Sequence, residues 1–379
     1  MGLRLGIVHR VAMLGLAMLG VGTMAMTAAA QKEIAFERVQ HLKRGINLSM
    51  WYAQASDYSA ARLASYTTAD DFKLVHDLGF DHVRVSINPE PLIEERNAGT
   101  LRADAVARLD GTVQALTALG LVVVLDIHPE EPWKKEVTST DDGAERFFNF
   151  WRNFAGHYAS TDPKLVYFEV LNEPNASDVS HWAGEQARAI EIIRSQAPQH
   201  TIIATGAEWG SLDGLVSTAP VRDTNVIYTF HEYEPFVFTH QGASWMAPKF
   251  ISLHGVPYPS SPEAVASLAT QQQDELARIT LERYGLEHWD GARMAGEIAL
   301  AADWARRRHV PLWCGEFGAY RDYAPPAARA RWISDVRSAL EHNGIGWSMW
   351  DYQGGFGIVT KKNGITTLDR EALHALGLK

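Results

Sequence analysis

The chain is nearly without cysteine: Cys314 stands alone among 379 residues. A single thiol excludes a disulfide framework and any cysteine-based zinc or iron–sulfur site. Positive charge is also short. Lys and Arg number 35 against 45 Asp and Glu, a formal net charge of −10. That balance argues against nucleic acid as a partner, because phosphate binding needs a basic surface. It also disfavours docking on anionic lipid. The sequence holds no glycine-rich phosphate loop, no Gly-x-Ser-x-Gly elbow, and no His-Glu-x-x-His or His-x-His pair. Phosphoryl transfer and serine hydrolysis therefore have no support, and metal-dependent hydrolysis has little.

Long hydrophobic runs are missing too, except at the N-terminus. There Arg4 and Arg10 precede an apolar run at 11–26, followed by Ala28-Ala29-Ala30. A basic start, an apolar middle and a small-residue end read as a secretory signal peptide over 1–30, cut after Ala30. No later segment approaches the roughly 20 apolar residues that a membrane span needs. The mature chain, 31–379, is expected to be secreted or periplasmic, free of the membrane and monomeric. No Ser/Thr/Pro linker or low-complexity run divides it, so one domain is expected.

What the chain does have is alternation. Short β-branched or apolar runs at 44–48, 82–87, 122–127, 165–171, 201–205, 226–231, 311–317 and 346–350 read as strands. Between them, 68–78, 103–119, 144–158, 179–196, 291–308 and 326–342 carry apolar residues at helical spacing, and 370–376 reads as a short closing helix. Eight strands alternating with helices predict a (β/α)8 TIM barrel. A doubly wound open sheet is the runner-up, but its glycine-rich first turn is absent. One interval is out of scale: about 80 residues separate the sixth strand from the seventh. A long loop carrying a helix at 263–284 is expected there. It would overhang the C-terminal face of the barrel, where this fold places its reacting groups.

The predicted strand ends carry chemistry. Strand two holds Arg84, and strand three runs into Asp126-Ile127-His128. Strand four runs into Asn172-Glu173-Pro174, and strand six into His231-Glu232-Tyr233. Strand seven holds Gly315-Glu316-Phe317, and strand eight ends at Trp350. Glu173 and Glu316 thus stand nearly opposite each other around an eight-stranded ring. Glycoside hydrolysis needs two carboxylates across a cleft. One protonates the leaving oxygen, and the other attacks the anomeric carbon or activates water. Taken singly, either glutamate reads better as a solvated or ion-paired carboxylate, and the surrounding sequence changes that.

In order, Arg84, His128, Asn172-Glu173-Pro174, His231, Tyr233, Gly315-Glu316-Phe317-Gly318 and Trp350 resemble glycoside hydrolase family 5, in the clan of retaining (β/α)8 glycosidases. The likeness runs from about Gly45 to Gly355. It implies Glu173 as acid/base and Glu316 as nucleophile, with no metal and no cofactor. It also implies a polysaccharide or oligosaccharide substrate. An endo-β-1,4-glucanase is the expected activity, with β-mannanase as runner-up.

The supporting residues can be given physical roles. Asn172 can donate its amide to a sugar 2-hydroxyl. Tyr233 can hydrogen-bond Glu316, and Arg84 can supply positive charge to keep it ionised. His231, near Glu173 in the family arrangement, can help set its proton affinity. Trp350 offers a flat apolar face. His128 is either a substrate contact or a structural histidine orienting Asn172. Strand alternation places Cys314 beneath Glu316 in the barrel core as an unreactive thiol, and Glu169 beneath Glu173. A buried Glu169 demands a partner, and the sequence does not name one.

Twelve tryptophans remain to be placed. Trp51, Trp133, Trp209 and Trp245 lie at loop positions beyond strand ends and are expected to stack on sugar rings. Trp151, Trp182, Trp304 and Trp332 lie on helices and are expected in the core. Two rival readings use the same barrel. A metal-dependent hydrolase would draw ligands from Asp126, His128, Glu130 and His231. A non-catalytic carbohydrate-binding barrel would not need both glutamates.

Overall fold

The computed structural model describes residues 28–94, 97–176 and 178–378. The apolar run read as an export signal lies outside them. Eight parallel strands form the barrel: β1 (Arg44–Tyr52), β2 (His82–Ile87), β3 (Val122–Ile127), β4 (Val166–Glu169), β5 (Ile202–Thr205), β6 (Val226–Glu232), β7 (Leu312–Phe317) and β8 (Gly346–Met349). Each pairs with its sequence neighbours, and β8 closes the ring on β1. The expected (β/α)8 architecture is the observed one.

The strands are buried along both faces, as in β2 and β3, because helices cover one face and side chains fill the other. Val122, Val124, Tyr167, Ile203, Ile227 and Trp313 form the interior cluster. Val83, Val85, Val123, Leu125 and Phe168 join the larger cluster with the helices. A helix at Ala28–Val39, absent from the sequence expectations, is tied to the interior. Val39 and Leu42 join the interior cluster, and the Tyr167 hydroxyl donates to the Arg38 carbonyl at 3.2 Å.

Helix starts follow their caps. The carboxylates of Asp178 and Asp290 accept backbone N–H groups at the heads of Val179–Gln196 and Gly291–Arg308. Pro326 opens Pro326–His342. After β6 the expected long excursion carries Phe236–Thr239, Pro248–Ile251, Pro262–Thr270 and Glu275–Glu287. The single helix expected at 263–284 is two, because the Asp274 side chain accepts from the Leu276 and Ala277 N–H groups and starts a new one.

Two hairpins were not expected. One pairs Ile93–Glu94 with Asn97–Leu101, the other Val359–Lys362 with Ile365–Leu368. The second turns through Asn363 and Gly364, at φ 52° and 75°. Among the described residues, no helix is long and apolar enough to cross a membrane.

Candidate active site

Arg84 organises the upper barrel. Fully buried on β2, its guanidinium grips Glu169 with two bonds, Nε to Oε2 at 2.7 Å and Nη2 to Oε1 at 2.8 Å. It also donates to Glu316 Oε1 (2.5 Å), Asn47 Oδ1 (3.0 Å) and Asn172 Oδ1 (2.9 Å), and lies 3.2 Å from Asp126. Glu169 therefore has its partner, 85 residues away. One cation serves three buried carboxylates, and the imbalance shows in their proton affinity. Burial pushes Asp126 up to about 6 against the pull of Arg84, and raises Glu169 in the same way.

Glu316 reaches Arg84 through a break in strand alternation. The β6–β7 register shifts between Phe230↔Cys314 and His231↔Glu316, which leaves Gly315 as an extra residue. A Cβ on Gly315 would stand 2.7 Å from Thr229 Oγ1, so only glycine fits. The bulge also corrects the position of Cys314. Trp313 occupies the barrel interior, while the buried Cys314 belongs to the cluster shared with the helices, not to the space beneath Glu316. Tyr233 donates to Glu316 Oε2 at 2.8 Å. Burial and the charge of Glu316 raise the phenol's pKa, so it stays a donor.

Glu173 is positioned differently. β4 ends at Glu169, and Glu173 lies beyond it in the left-handed backbone region at φ 45°. Its side chain is 28% exposed, against 4% for Glu316. His231 Nδ1 lies 3.1 Å from Glu173 Oε1 and 3.5 Å from Glu316 Oε2. Burial raises Glu173, but the hydrogen bond and charge of His231 outweigh it and hold the carboxyl at about 2. Burial lowers His231, and the charge of Glu316 with the bond to Glu173 more than reverses this, so His231 is raised. The two shifts have one cause, the contact between the carboxylate and the imidazole, and together they favour the ion pair.

A second relay fixes Asn172. Asp126 Oδ2 accepts from His128 Nδ1 at 2.8 Å, and His128 Nε2 accepts from Asn172 Nδ2 at 3.1 Å. Burial pulls His128 down to about 3, which keeps the imidazole neutral and Nε2 free to accept. Arginine only donates, so the Asn172 oxygen must face Arg84 and its amide nitrogen must face His128 and the cleft. His128 thus orients Asn172. Its ring also stacks on Trp350, with centroids 5.7 Å apart. Trp350 is buried and packs with Tyr233 and Phe356.

The four loop tryptophans divide evenly. Trp209 and Trp245 are 55% and 59% exposed. Trp209 adjoins the Glu173 loop, its backbone N–H donating to the Pro174 carbonyl at 3.3 Å. Trp245 packs edge-on to Tyr320 and beside Phe356, an aromatic group that the sequence reading did not assemble. Trp51 and Trp133 correct the expectation, with only 2% and 4% exposed. Trp51 packs on Tyr52 and Phe72 and donates to the Leu63 carbonyl. Trp133 sits in the helix Glu131–Ser139 with its edge on Phe147. Neither offers a face to a sugar. The helix tryptophans Trp151, Trp182, Trp304 and Trp332 are in the core.

Among the described residues, Glu173, His231 and Glu316 bring one donor atom each within 4.8 Å of one another. A cation there would have to compete with the contact between His231 Nδ1 and Glu173 and share Glu316 with Arg84. The ligand set drawn from Asp126, His128, Glu130 and His231 does not assemble: Asp126 is committed to Arg84 and His128, and Glu130 is exposed.

A carboxylate pair at the C-terminal ends of the strands of a (β/α)8 barrel, one on a strand and one on the turn after another, is the arrangement of a glycoside hydrolase site. Comparison with known proteins agrees. The family model described as cellulase (glycosyl hydrolase family 5) matches residues 41–355. Endoglucanase C of Acetivibrio thermocellus is 28% identical over 318 residues, covering 82% of this chain and 91% of that one. Endoglucanase 3 of Fibrobacter succinogenes is 26% identical over 354 residues, covering 88% of this chain but 52% of the relative's length. Cel5A of Thermotoga maritima, solved with cellobiose and with mannotriose, superposes with a TM-score of 0.75 at 26% identity, covering 90% of this chain and 99% of that one. The chain belongs to glycosyl hydrolase family 5 and is a glycoside hydrolase.

Proposed function

We propose that the enzyme is a secreted, monomeric endo-β-1,4-glucanase that works by double displacement. The observation that carries the mechanism is the approach of the Glu173 and Glu316 oxygens to within 4.8 Å. That approach suits the roughly 5–5.5 Å separation of retaining pairs better than the wider gap of inverting ones.

Glu316, held by Arg84 and Tyr233, attacks the anomeric carbon and forms a glycosyl ester. Glu173, on the more exposed side, protonates the departing oxygen with the proton it shares with His231. It then deprotonates the water that hydrolyses the ester. The second amide N–H of Asn172 meets the 2-hydroxyl. Trp209 and Trp245 provide apolar faces for further sugar units.

The names of the curated relatives support glucan as substrate. The mannotriose complex of the Thermotoga protein keeps β-mannanase as the second reading. A reducing-sugar screen over soluble β-glucan, glucomannan, galactomannan, xylan and xyloglucan tests this, and glucan is expected to be cleaved fastest. Faster cleavage of galactomannan overturns the glucanase reading in favour of the mannanase. Sequencing the N-terminus of exported protein tests the signal, with Gln31 expected first.

A further inference from the structure

On the barrel face that carries Glu173 and Glu316, beyond the ends of β1, β2 and β3, a pocket of about 640 Å³ opens, within the size range of small-molecule sites. Gln54, Tyr58, Asn88, Glu90 and Glu130 line it. Asn88 follows the end of β2, and Glu130 stands two residues beyond His128. The mechanism uses none of these five residues.

The lining is unbalanced toward hydrogen-bond acceptors. Gln54 Oε1 is buried with no partner. The Tyr58 oxygen accepts from the Ala55 N–H at 3.3 Å and from Asn88 Nδ2 at 3.4 Å, so the donors left are the phenol hydrogen, the Gln54 amide and the second Asn88 N–H, against a free amide oxygen and two carboxylates. Asn88 Oδ1 is taken by the Glu90 N–H at 3.2 Å. Among the described residues, neither the Glu90 nor the Glu130 carboxylate has an ion-pair partner, and no lysine or arginine lines the pocket. Of the nearby cations, Arg62, whose charge reaches Tyr58, donates to the Met50 and Trp51 carbonyls, and Lys134 pairs with Glu131 at 3.9 Å.

Resting on the glucanase reading, we propose that Glu90 and Glu130 set a charge specificity. The pocket takes an uncharged hexose unit, whose hydroxyls donate to the acceptors, and rejects a unit carrying a carboxylate. Both glutamates are solvent-exposed, so the repulsion is a screened, salt-dependent effect. The pocket acts by selection and takes no part in bond breaking.

The test compares kcat/KM on hydroxyethylcellulose with that on carboxymethylcellulose, two soluble substituted β-1,4-glucans that differ in charge. For the wild type, the ratio of the anionic to the neutral polymer is expected to rise about fivefold between about 0.01 M and about 1 M salt. In the E90Q/E130Q double variant the ratio at low salt is expected to rise by a similar factor and to lose its salt dependence, whatever each value does alone. A ratio that is the same in variant and wild type at low salt overturns the charge specificity. Wild-type inactivity on both polymers would instead overturn the glucanase reading.

Discussion

His231 Nδ1 sits 3.1 Å from Glu173 Oε1, and the two groups titrate as one device. The carboxyl is held low and the imidazole high. On the proposed mechanism, the proton available for the leaving group is lost only as pH rises through the raised His231 value. With an isolated glutamic acid as proton donor, the alkaline limit of activity would be that carboxyl's own pKa. The pair moves that limit upward.

Replacing His231 with Asn tests the device. The group that holds Glu173 low is gone, burial then raises the carboxyl, and Glu173 titrates alone. The alkaline limb of kcat/KM is expected to move toward acid relative to wild type, with kcat at the optimum falling roughly 100-fold. An unmoved limb would show that His231 does not share the catalytic proton.

Arg84→Met leaves Glu169, Asp126 and Glu316 without their cation. Breaking a buried ion pair from one side costs about 3–5 kcal/mol. The loss should be largest above the Asp126 value of about 6 and shrink below it, as Asp126 and the raised Glu169 take up protons. Urea unfolding across that pH range measures it.

The tryptophans should separate by role. Trp133→Ala removes a buried ring and is expected to cost about 3–5 kcal/mol of stability. Trp209→Ala and Trp245→Ala remove exposed rings. They should leave the melting temperature nearly unchanged and raise KM on polymer several-fold. Thermal melts together with polymer kinetics distinguish the two classes.

Asp71 ties the Val359–Lys362 strand to the helix Ala69–Asp77, accepting from Lys361 at 2.5 Å and from the Tyr352 hydroxyl at 2.7 Å. Burial raises its pKa, but these bonds outweigh it and the value is lowered. The stabilisation is present above 3.8 and is lost as pH falls through the depressed folded value. Asp71→Asn should cost about 1–3 kcal/mol at neutral pH, with the gap to wild type closing in acid. Denaturation curves at both pH extremes check this.

The strands were legible because eight apolar runs coincide with elements buried on both faces. The helices 179–196, 291–308 and 326–342 were legible because their caps and apolar spacing are local. Asn363-Gly364 is an equally local hairpin signal, but a short exposed pair carries little hydrophobic pattern around it. Period-two reasoning fails at Gly315, where a bulge inserts a residue and turns Cys314 outward. It fails again after β4, where Glu173 is placed by a turn. Glu169 needs a partner from another strand, and no local pattern encodes a contact across the barrel. Trp51 and Trp133 look like Trp209 and Trp245 in sequence. Only the packing of Phe72 and Phe147 against the first two separates buried rings from exposed ones.

The most direct test of the two glutamates is the anomeric configuration of the azide product. With a dinitrophenyl β-cellobioside, Glu173→Ala should still form the glycosyl ester on Glu316, because that leaving group needs little protonation. Added azide needs no general base and should restore turnover as the β-glycosyl azide. Glu316→Ala lacks the ester, and azide entering the vacated space should give the α-glycosyl azide. Opposite anomers from the two variants, read by proton NMR, are the expected result. The same anomer from both, or normal turnover by Glu316→Ala on an unactivated oligosaccharide, would contradict the assignment of Glu316 as nucleophile and Glu173 as acid/base.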